Sequence, residues 1–496
     1  MIPHPELDTQ NLNAALANFA TPGLAVAVVK NDALVMAQGF GQRGLDQSAP
    51  VDEHTLSAIG SISKSFTATG LAMLVDEGKL AWDDPVLKVL PGFQLFDPYA
   101  TRELTVRDLL THRSGLAEVS GGTIWYGATY DRAAVVKRIR HLKPVSSFRS
   151  QFAYQNIMYL VAGQLIPAVT GIDWDTFVKE RLFKPLGMRD SVTSITAFKP
   201  DENVVTPHIT VDGQAQAVAH RNYDNVGAAA SIYASVVDMA QYLRLHLRQG
   251  RYADQQLLNP ATAQELATPQ MVIPIRPNPP ALAALTPEFY TYGLGWFIRN
   301  YRGRKVVTHS GGVDGMVALA TMVPEEDLGI VVLVNQESAL AAAVVYTLLD
   351  AYLGAPVTDW YSAFLQVRQE LSEKEQAAKA ASEAARVPET QPALALEQYA
   401  GTYHADVYGE ASVMLEDSHL VLRFSPTPSF TGDLEHWHYE TFRIHWRDPM
   451  VTTGFVTFPL TAQGKAFEMK FDQPKLLDVD FSELEFTRTP ETDKPV

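Results

Sequence analysis

Ser61-Ile62-Ser63-Lys64-Ser65-Phe66-Thr67-Ala68-Thr69-Gly70-Leu71-Ala72-Met73-Leu74-Val75-Asp76 is the stretch on which the reading of this chain turns. Phe66, Leu71, Met73 and Leu74 predict a helix buried on one side. On such a helix Lys64 lies one turn above Ser61, on the same face. A serine hydroxyl is a weak nucleophile until a base sits beside it. Burial disfavours the ammonium form of a lysine and so can make it that base. S-x-x-K, which occurs once in the chain, is therefore a minimal nucleophile–base pair. The competing reading is an ordinary helix start, with Ser61 or Ser63 as N-cap and Lys64 solvated.

Two further motifs follow in the order the chemistry needs. Tyr154-Gln155-Asn156 precedes a predicted helix over 157–169. A tyrosinate beside a lysine ammonium can take the serine proton and pass it to a leaving group. The Asn156 amide can hold Lys64 and a substrate carbonyl together; alternatively it caps the helix. His309-Ser310-Gly311-Gly312 follows a strand-like run over 305–308. Glycines there let a ligand approach the backbone closely. Backbone N–H groups at Gly311 and Gly312, with that of Ser61, can form an oxyanion hole. The alternative is a turn between strands, with His309 a half-buried strand residue.

The trio S-x-x-K, Y-x-N, H-x-G resembles the serine β-lactamase and penicillin-binding-protein superfamily, in its class C-like branch of esterases, D-aminopeptidases and peptidases. Leu109-Leu110-Thr111-His112-Arg113-Ser114-Gly115-Leu116, Tyr292-Gly293-Leu294-Gly295-Trp296 and the segment 225–243 are similar to it as well. The resemblance spans roughly residues 10–355. The S-D-N and K-T-G patterns of the group are not matched. The resemblance implies that Ser61 is the acylated nucleophile, with Lys64 and Tyr154 as base and proton shuttle. It implies that Asn156 orients Lys64 and substrate, and that Ser61 and Gly312 supply the oxyanion N–H groups. His309 stands where lactamases carry lysine. A histidine is mostly neutral at pH 7, so the attraction for a β-lactam carboxylate is expected to be weaker.

Composition bounds the rest. A chain of 496 residues with 46% apolar content suggests at least two domains with ample cores. The net charge of −16 argues against nucleic acid and anionic membrane partners. No apolar run is long enough to span a membrane. With no cysteine, disulfides and thiolate chemistry are excluded. H-E-x-x-H, P-loop and G-x-S-x-G patterns do not occur, which disfavours zinc-protease, NTPase and α/β-hydrolase readings, and no cofactor or metal is expected. The expected partners are small peptide, amide or ester substrates, with homo-oligomer formation left open. The start Met1-Ile-Pro-His-Pro-Glu lacks a signal pattern. Common export of relatives leans to a periplasmic or secreted protein, with the cytoplasm as the alternative.

The expected organisation is a β-lactamase-like hydrolase domain over 1–365, a helical linker over 366–392 and a lipocalin-like β-barrel domain over 393–496. The first is α/β (α+β): one antiparallel sheet built from both ends of the domain, flanked by helices, around a helical region. Its strands are predicted at 23–30, 33–39, 294–300, 305–309, 317–323 and 329–335, with a turn at Asn31-Asp32. The Pro-rich segment 271–290 reads as a surface loop, or else a lid or pocket wall. The last domain shows short alternating strands at 411–416, 419–424, 441–446, 454–460, 466–471 and 483–488, as in an antiparallel sandwich or barrel. Its opening, Leu396 to Tyr403, resembles a lipocalin-like barrel. His436, His438 and His445 sit among aromatic residues, which favours packing over a metal site. Lacking a catalytic constellation, this domain is expected to be removable with little effect on small-ester chemistry.

Overall fold

Gly23–Lys30 (β1) and Leu328–Val334 are apolar on both faces, and their pairing makes the middle of a nine-stranded antiparallel sheet. The computed structural model describes residues 8–45, 47–199, 201–211, 213–476 and 478–490. The other strands of the sheet are β2 (Ala33–Gly44), β3 (Gln47–Pro50), β4 (Met271–Val272), β5 (Tyr290–Tyr292), β6 (Phe297–Tyr301), β7 (Arg304–Val313) and β8 (Met316–Val323); Leu328–Val334 is β9. Across the sheet they run β4-β5-β6-β7-β8-β9-β1-β2-β3. Strands from both ends of the hydrolase region thus lie side by side, as their patterns predicted.

Period-two alternation explains the layers. Val26 faces the same side as its partner Val332, and this side packs against α1 (Thr9–Asn18) and α5 (Leu340–Tyr352) through Leu12, Val344 and Leu348. Gly329 points the other way, onto Leu243 and Leu247 of α4 (Val236–Leu247). Between β1 and β2, Asn31 and Asp32 both take positive φ, 53° and 61°. That suits a tight hairpin, and Asn and Asp tolerate it.

Some boundaries differ from expectation. The strand predicted at 294–300 begins only at Phe297, because Tyr292–Trp296 turns between β5 and β6. Segment 271–290 supplies the edge strand β4 and then buries Leu282 and Leu285 in the α1/α5 core. The predicted linker helix starts earlier: α6 spans Trp360–Ala384, with Trp360 and Tyr361 buried and 373–384 exposed. Trp360 donates to the buried carboxylate of Asp350 at 2.8 Å, which Tyr301 also reaches at 2.7 Å. Among the described residues no single helix is long and apolar enough to cross a membrane.

The chain divides into two compact units. The first holds the described residues up to Gly92, Arg102–Gly115 and Ser146–Ser372; the second holds Phe93–Thr101, Leu116–Val145 and the chain from Glu373 on. The second contains a closed eight-stranded antiparallel barrel: Gly401–Ala405, Gly409–Glu416, His419–Phe424, Thr427–His438, Thr441–Trp446, Gly454–Thr457, Glu468–Asp472 and Phe486–Arg488. Gly401–Ala405 and the long strand Thr427–His438 were not among the predicted strands. Phe424 packs against Tyr408 at 5.1 Å, Phe486 at 5.5 Å and Phe430 at 5.6 Å between ring centroids. The three histidines point to separate partners: His436 to the Tyr439 carbonyl, His438 to the Val387 amide and His445 to Glu435.

Within this second unit, residues 116–145 form an arm gripped by the barrel. Tyr130 donates to the Tyr408 carbonyl at 2.6 Å, and Thr129 to the Pro426 carbonyl. Tyr126 stacks on Phe430, and Gly122 lies so close to the Asp478 carbonyl that a Cβ would collide with it. Ile124, Trp125 and Val135 are buried. The barrel is therefore expected not to be dispensable. Truncation after Ala384 should bare this arm and lower the midpoint of thermal unfolding by several degrees or cause aggregation. A truncated protein that is monodisperse and melts with the full chain would show that the arm stands alone.

Candidate active site

Ser61 lies on a 3₁₀ turn, Gly60–Ile62, that feeds directly into helix α2 (Ser63–Asp76). Gly60 takes a φ of 48°, which a glycine adopts freely. The N-cap of α2 is Ile62 and carries no side-chain capping bond, so the Ser61 hydroxyl is not spent on the helix start. Ser63 instead accepts from the Ile232 amide. Nearly all of α2 is buried, Lys64 completely.

A fully buried lysine needs partners for its N–H groups. Lys64 Nζ donates to Ser61 Oγ at 2.9 Å, to Asn156 Oδ1 at 2.6 Å and to the Ala229 carbonyl at 3.2 Å. These acceptors come from three separate segments: the α2 turn, the start of α3 (Asn156–Thr170) and the short helix Gly227–Ala230. The Tyr154 ring lies over Nζ at 4.7 Å to its centroid, within range of a cation–π contact. Asn156 was expected either to cap α3 or to hold Lys64. The N-cap is Gln155, and the Asn156 side chain faces Lys64. Its Nδ2 is buried and has no hydrogen-bond partner among the described residues.

Strand β7 brings the glycines to Ser61. A Cβ on Gly311 would collide with the Ile59 carbonyl and stand 3.0 Å from the Ser61 nitrogen. Gly311 thus allows the close approach, and it sets Gly312 beside the 60–61 turn. β6 pairs with β7 only as far as Thr308, whereas β8 pairs with it through Val313. His309–Val313 therefore have one edge without a strand partner among the described residues.

His309 is 1% exposed, and both its ring nitrogens are engaged. Nδ1–H donates to the Ser310 carbonyl at 2.6 Å, and Nε2 accepts from the Tyr292 hydroxyl at 3.0 Å. Burial first, then the charge of Lys64, lowers its pKa to about 3. Burial likewise holds Tyr292 protonated as the donor. The sequence reasoning assigned no role to Tyr159, Tyr292 or His112, although the last two lie in segments it had marked. Tyr159 donates to the Leu110 carbonyl at 2.8 Å. His112 packs against Tyr154 at 4.3 Å between rings. Burial, with Lys64 and His309, lowers its pKa well below the usual imidazole value.

A large antiparallel sheet of this order, flanked by helices, defines a β-lactamase-like α/β fold. The chain belongs to the Beta-lactamase family, whose family model matches residues 10–355; a second model, a domain of unknown function (DUF3471), matches residues 385–488. It is 29% identical over 437 residues to unguisins hydrolase ungD of Aspergillus violaceofuscus, covering 81% of this chain and 75% of that protein. Penicillin-binding protein 4 of Amycolatopsis lactamdurans is 27% identical over 341 residues, covering 66% and 84%. The fold is similar to that of the octameric penicillin-binding protein homologue from Pyrococcus abyssi, with a TM-score of 0.63 at 21% identity, covering 97% of this chain and 100% of that one. The superfamily resemblance is borne out, and the closed barrel fits the lipocalin-like expectation.

Neutral burial of His309 has a measurable consequence. In the unfolded chain an imidazole protonates near pH 6.5, whereas in the fold His309 stays neutral down to about pH 3. Between those values the unfolded state binds the extra proton, so stability falls as pH falls through this window. His309→Gln should flatten the pH dependence of unfolding free energy there by up to about 1.4 kcal/mol per pH unit. Identical slopes for the two proteins would contradict a buried neutral His309.

Proposed function

We propose that the protein is a metal-independent serine hydrolase that acts through an acyl-enzyme on peptide or amide substrates. The observation that carries this is the Lys64 ammonium position, bonded at once to Ser61 Oγ and Asn156 Oδ1 inside a buried site. Lys64, once neutral, takes the Ser61 proton as Oγ attacks the carbonyl carbon. Tyr154, over the Lys64 amine, relays that proton to the leaving nitrogen. The backbone N–H groups of Ser61 and Gly312 hold the oxyanion. The unpaired Asn156 amide donates to a substrate carbonyl. Water then attacks the ester on Ser61 by the same groups in reverse and releases the acid.

The edge of β7 from His309 to Val313, which has no strand partner among the described residues, favours a peptide over a short ester, because an extended backbone can add to such an edge as a further strand. The similarity to a protein named as an unguisins hydrolase supports hydrolysis but does not name the substrate of this chain. Since His309 is neutral and both its nitrogens are occupied, it offers no cation to a β-lactam carboxylate.

The test is a hydrolysis panel of L- and D-amino-acid anilides, short peptides, p-nitrophenyl butyrate and a chromogenic cephalosporin. Wild type should turn over an anilide or peptide best and the cephalosporin slowly. Ser61→Ala and Lys64→Met should each lower kcat by roughly three orders of magnitude or more, the scale seen when one member of a catalytic unit is removed. Mass spectrometry of wild type during turnover should find the acyl group on the peptide that carries Ser61. Unchanged turnover in Ser61→Ala would end this reading, and a preference for p-nitrophenyl butyrate would move it to a carboxylesterase.

A further inference from the structure

We propose that His112 is a positioning residue, which sets Tyr154 against Lys64 by gripping the backbone on both sides of it. The proposal rests on the assignment of Ser61, Lys64 and Tyr154 as the reacting groups. Its own basis is a set of bonds with no bearing on the substrate.

His112 lies in the turn after the helix Val106–Leu110, fully buried. Its carbonyl accepts the Ala153 N–H at 2.8 Å, and its Nδ1 accepts the Gln155 N–H at 2.9 Å. Tyr154 is the one residue between those two amides. Its ring lies against the His112 ring, at 4.3 Å and a tilt of 34°. The rest of the approach is laid on the same turn. Arg149 N–H bonds the Arg113 carbonyl at 2.8 Å, and Ser146 N–H bonds the Gly115 carbonyl at 3.1 Å. Beneath both loops the buried Asp108 takes the Arg113 and Arg149 guanidiniums, at 2.6 Å each. The chain over 146–155 is thus registered on 112–115 before it reaches the reacting tyrosine.

Two features set His112 apart from a side chain that merely fills space. Its backbone is left-handed, with φ of 56°, a conformation that costs a non-glycine residue energy. And its Nε2 is buried with no hydrogen-bond partner among the described residues. Because Nδ1 accepts the Gln155 N–H, it must carry a lone pair, which leaves the proton on that unpaired Nε2. A leucine would fill a cage formed by Phe152, Tyr154, Tyr159 and Tyr292 without an unpaired donor. The arrangement makes sense if an acceptor at the Nδ1 position is what the site requires. Burial, aided by Lys64 and His309, keeps the imidazole neutral, so the lone pair persists.

Asparagine and glycine separate acceptor from backbone. Both tolerate the left-handed conformation, but only asparagine places an oxygen where Nδ1 stands. His112→Asn should keep kcat within about fivefold of wild type. His112→Gly should lose about 100-fold in kcat with KM little changed, the size of loss expected when a reacting group is misplaced by about an ångström. Amide hydrogen exchange of the peptide over 150–156 should accelerate in His112→Gly and not in His112→Asn. If His112→Gly fails to fold, His112→Gln, whose acceptor sits at the Nε2 position, replaces it with the same expectation. Equal kcat in the asparagine and acceptor-lacking variants, or unchanged exchange in the latter, overturns the proposal. Turnover that survives Ser61→Ala would remove the functional reading alone, since the exchange comparison still decides whether His112 grips the 153–155 backbone.

Discussion

Burying the amine of Lys64 is the constraint on which the rest of the first unit depends. An ammonium taken out of water is costly unless its donors are satisfied. Here the acceptors are Ser61, Asn156 and the Ala229 carbonyl, contributed by segments far apart in the chain. None of these three acceptors is a carboxylate. α2 is buried almost all round rather than on one face, as its apolar residues alone had suggested.

His309, Tyr292, Tyr159 and His112 form a buried set in which burial holds the phenols protonated, and burial and the nearby lysine hold the imidazoles neutral. Three hydrogen bonds made by the set therefore have a defined direction: Tyr292 to His309, His309 to the Ser310 carbonyl, Tyr159 to the Leu110 carbonyl. In such a low-dielectric setting electrostatic effects are strong.

The second unit is more than an appended module. Its barrel packs aromatic side chains against one another and also takes up residues 116–145, which leave the hydrolase sequence between Gly115 and Ser146. The order of residues in the chain thus hides a division that only the packing shows.

Much of the architecture was legible in the residues alone. The S-x-x-K pair, the apolar strands Gly23–Lys30 and Leu328–Val334, the Asn31-Asp32 hairpin and the alternating strands of the last hundred residues are local patterns, and periodicity reports them. Short barrel strands and the turn at Tyr292–Trp296 were less legible, because their residues are shaped by neighbours across the fold. Asn156 as a lysine acceptor rather than a cap, Gly311 as the residue that admits Ile59, the membership of the 116–145 arm and the double bond of His112 to the 153–155 backbone were decided by tertiary structure. Each depends on two segments distant in sequence approaching within hydrogen-bond or van der Waals range, and the spacing of residues along one segment carries no record of which other segment comes to meet it.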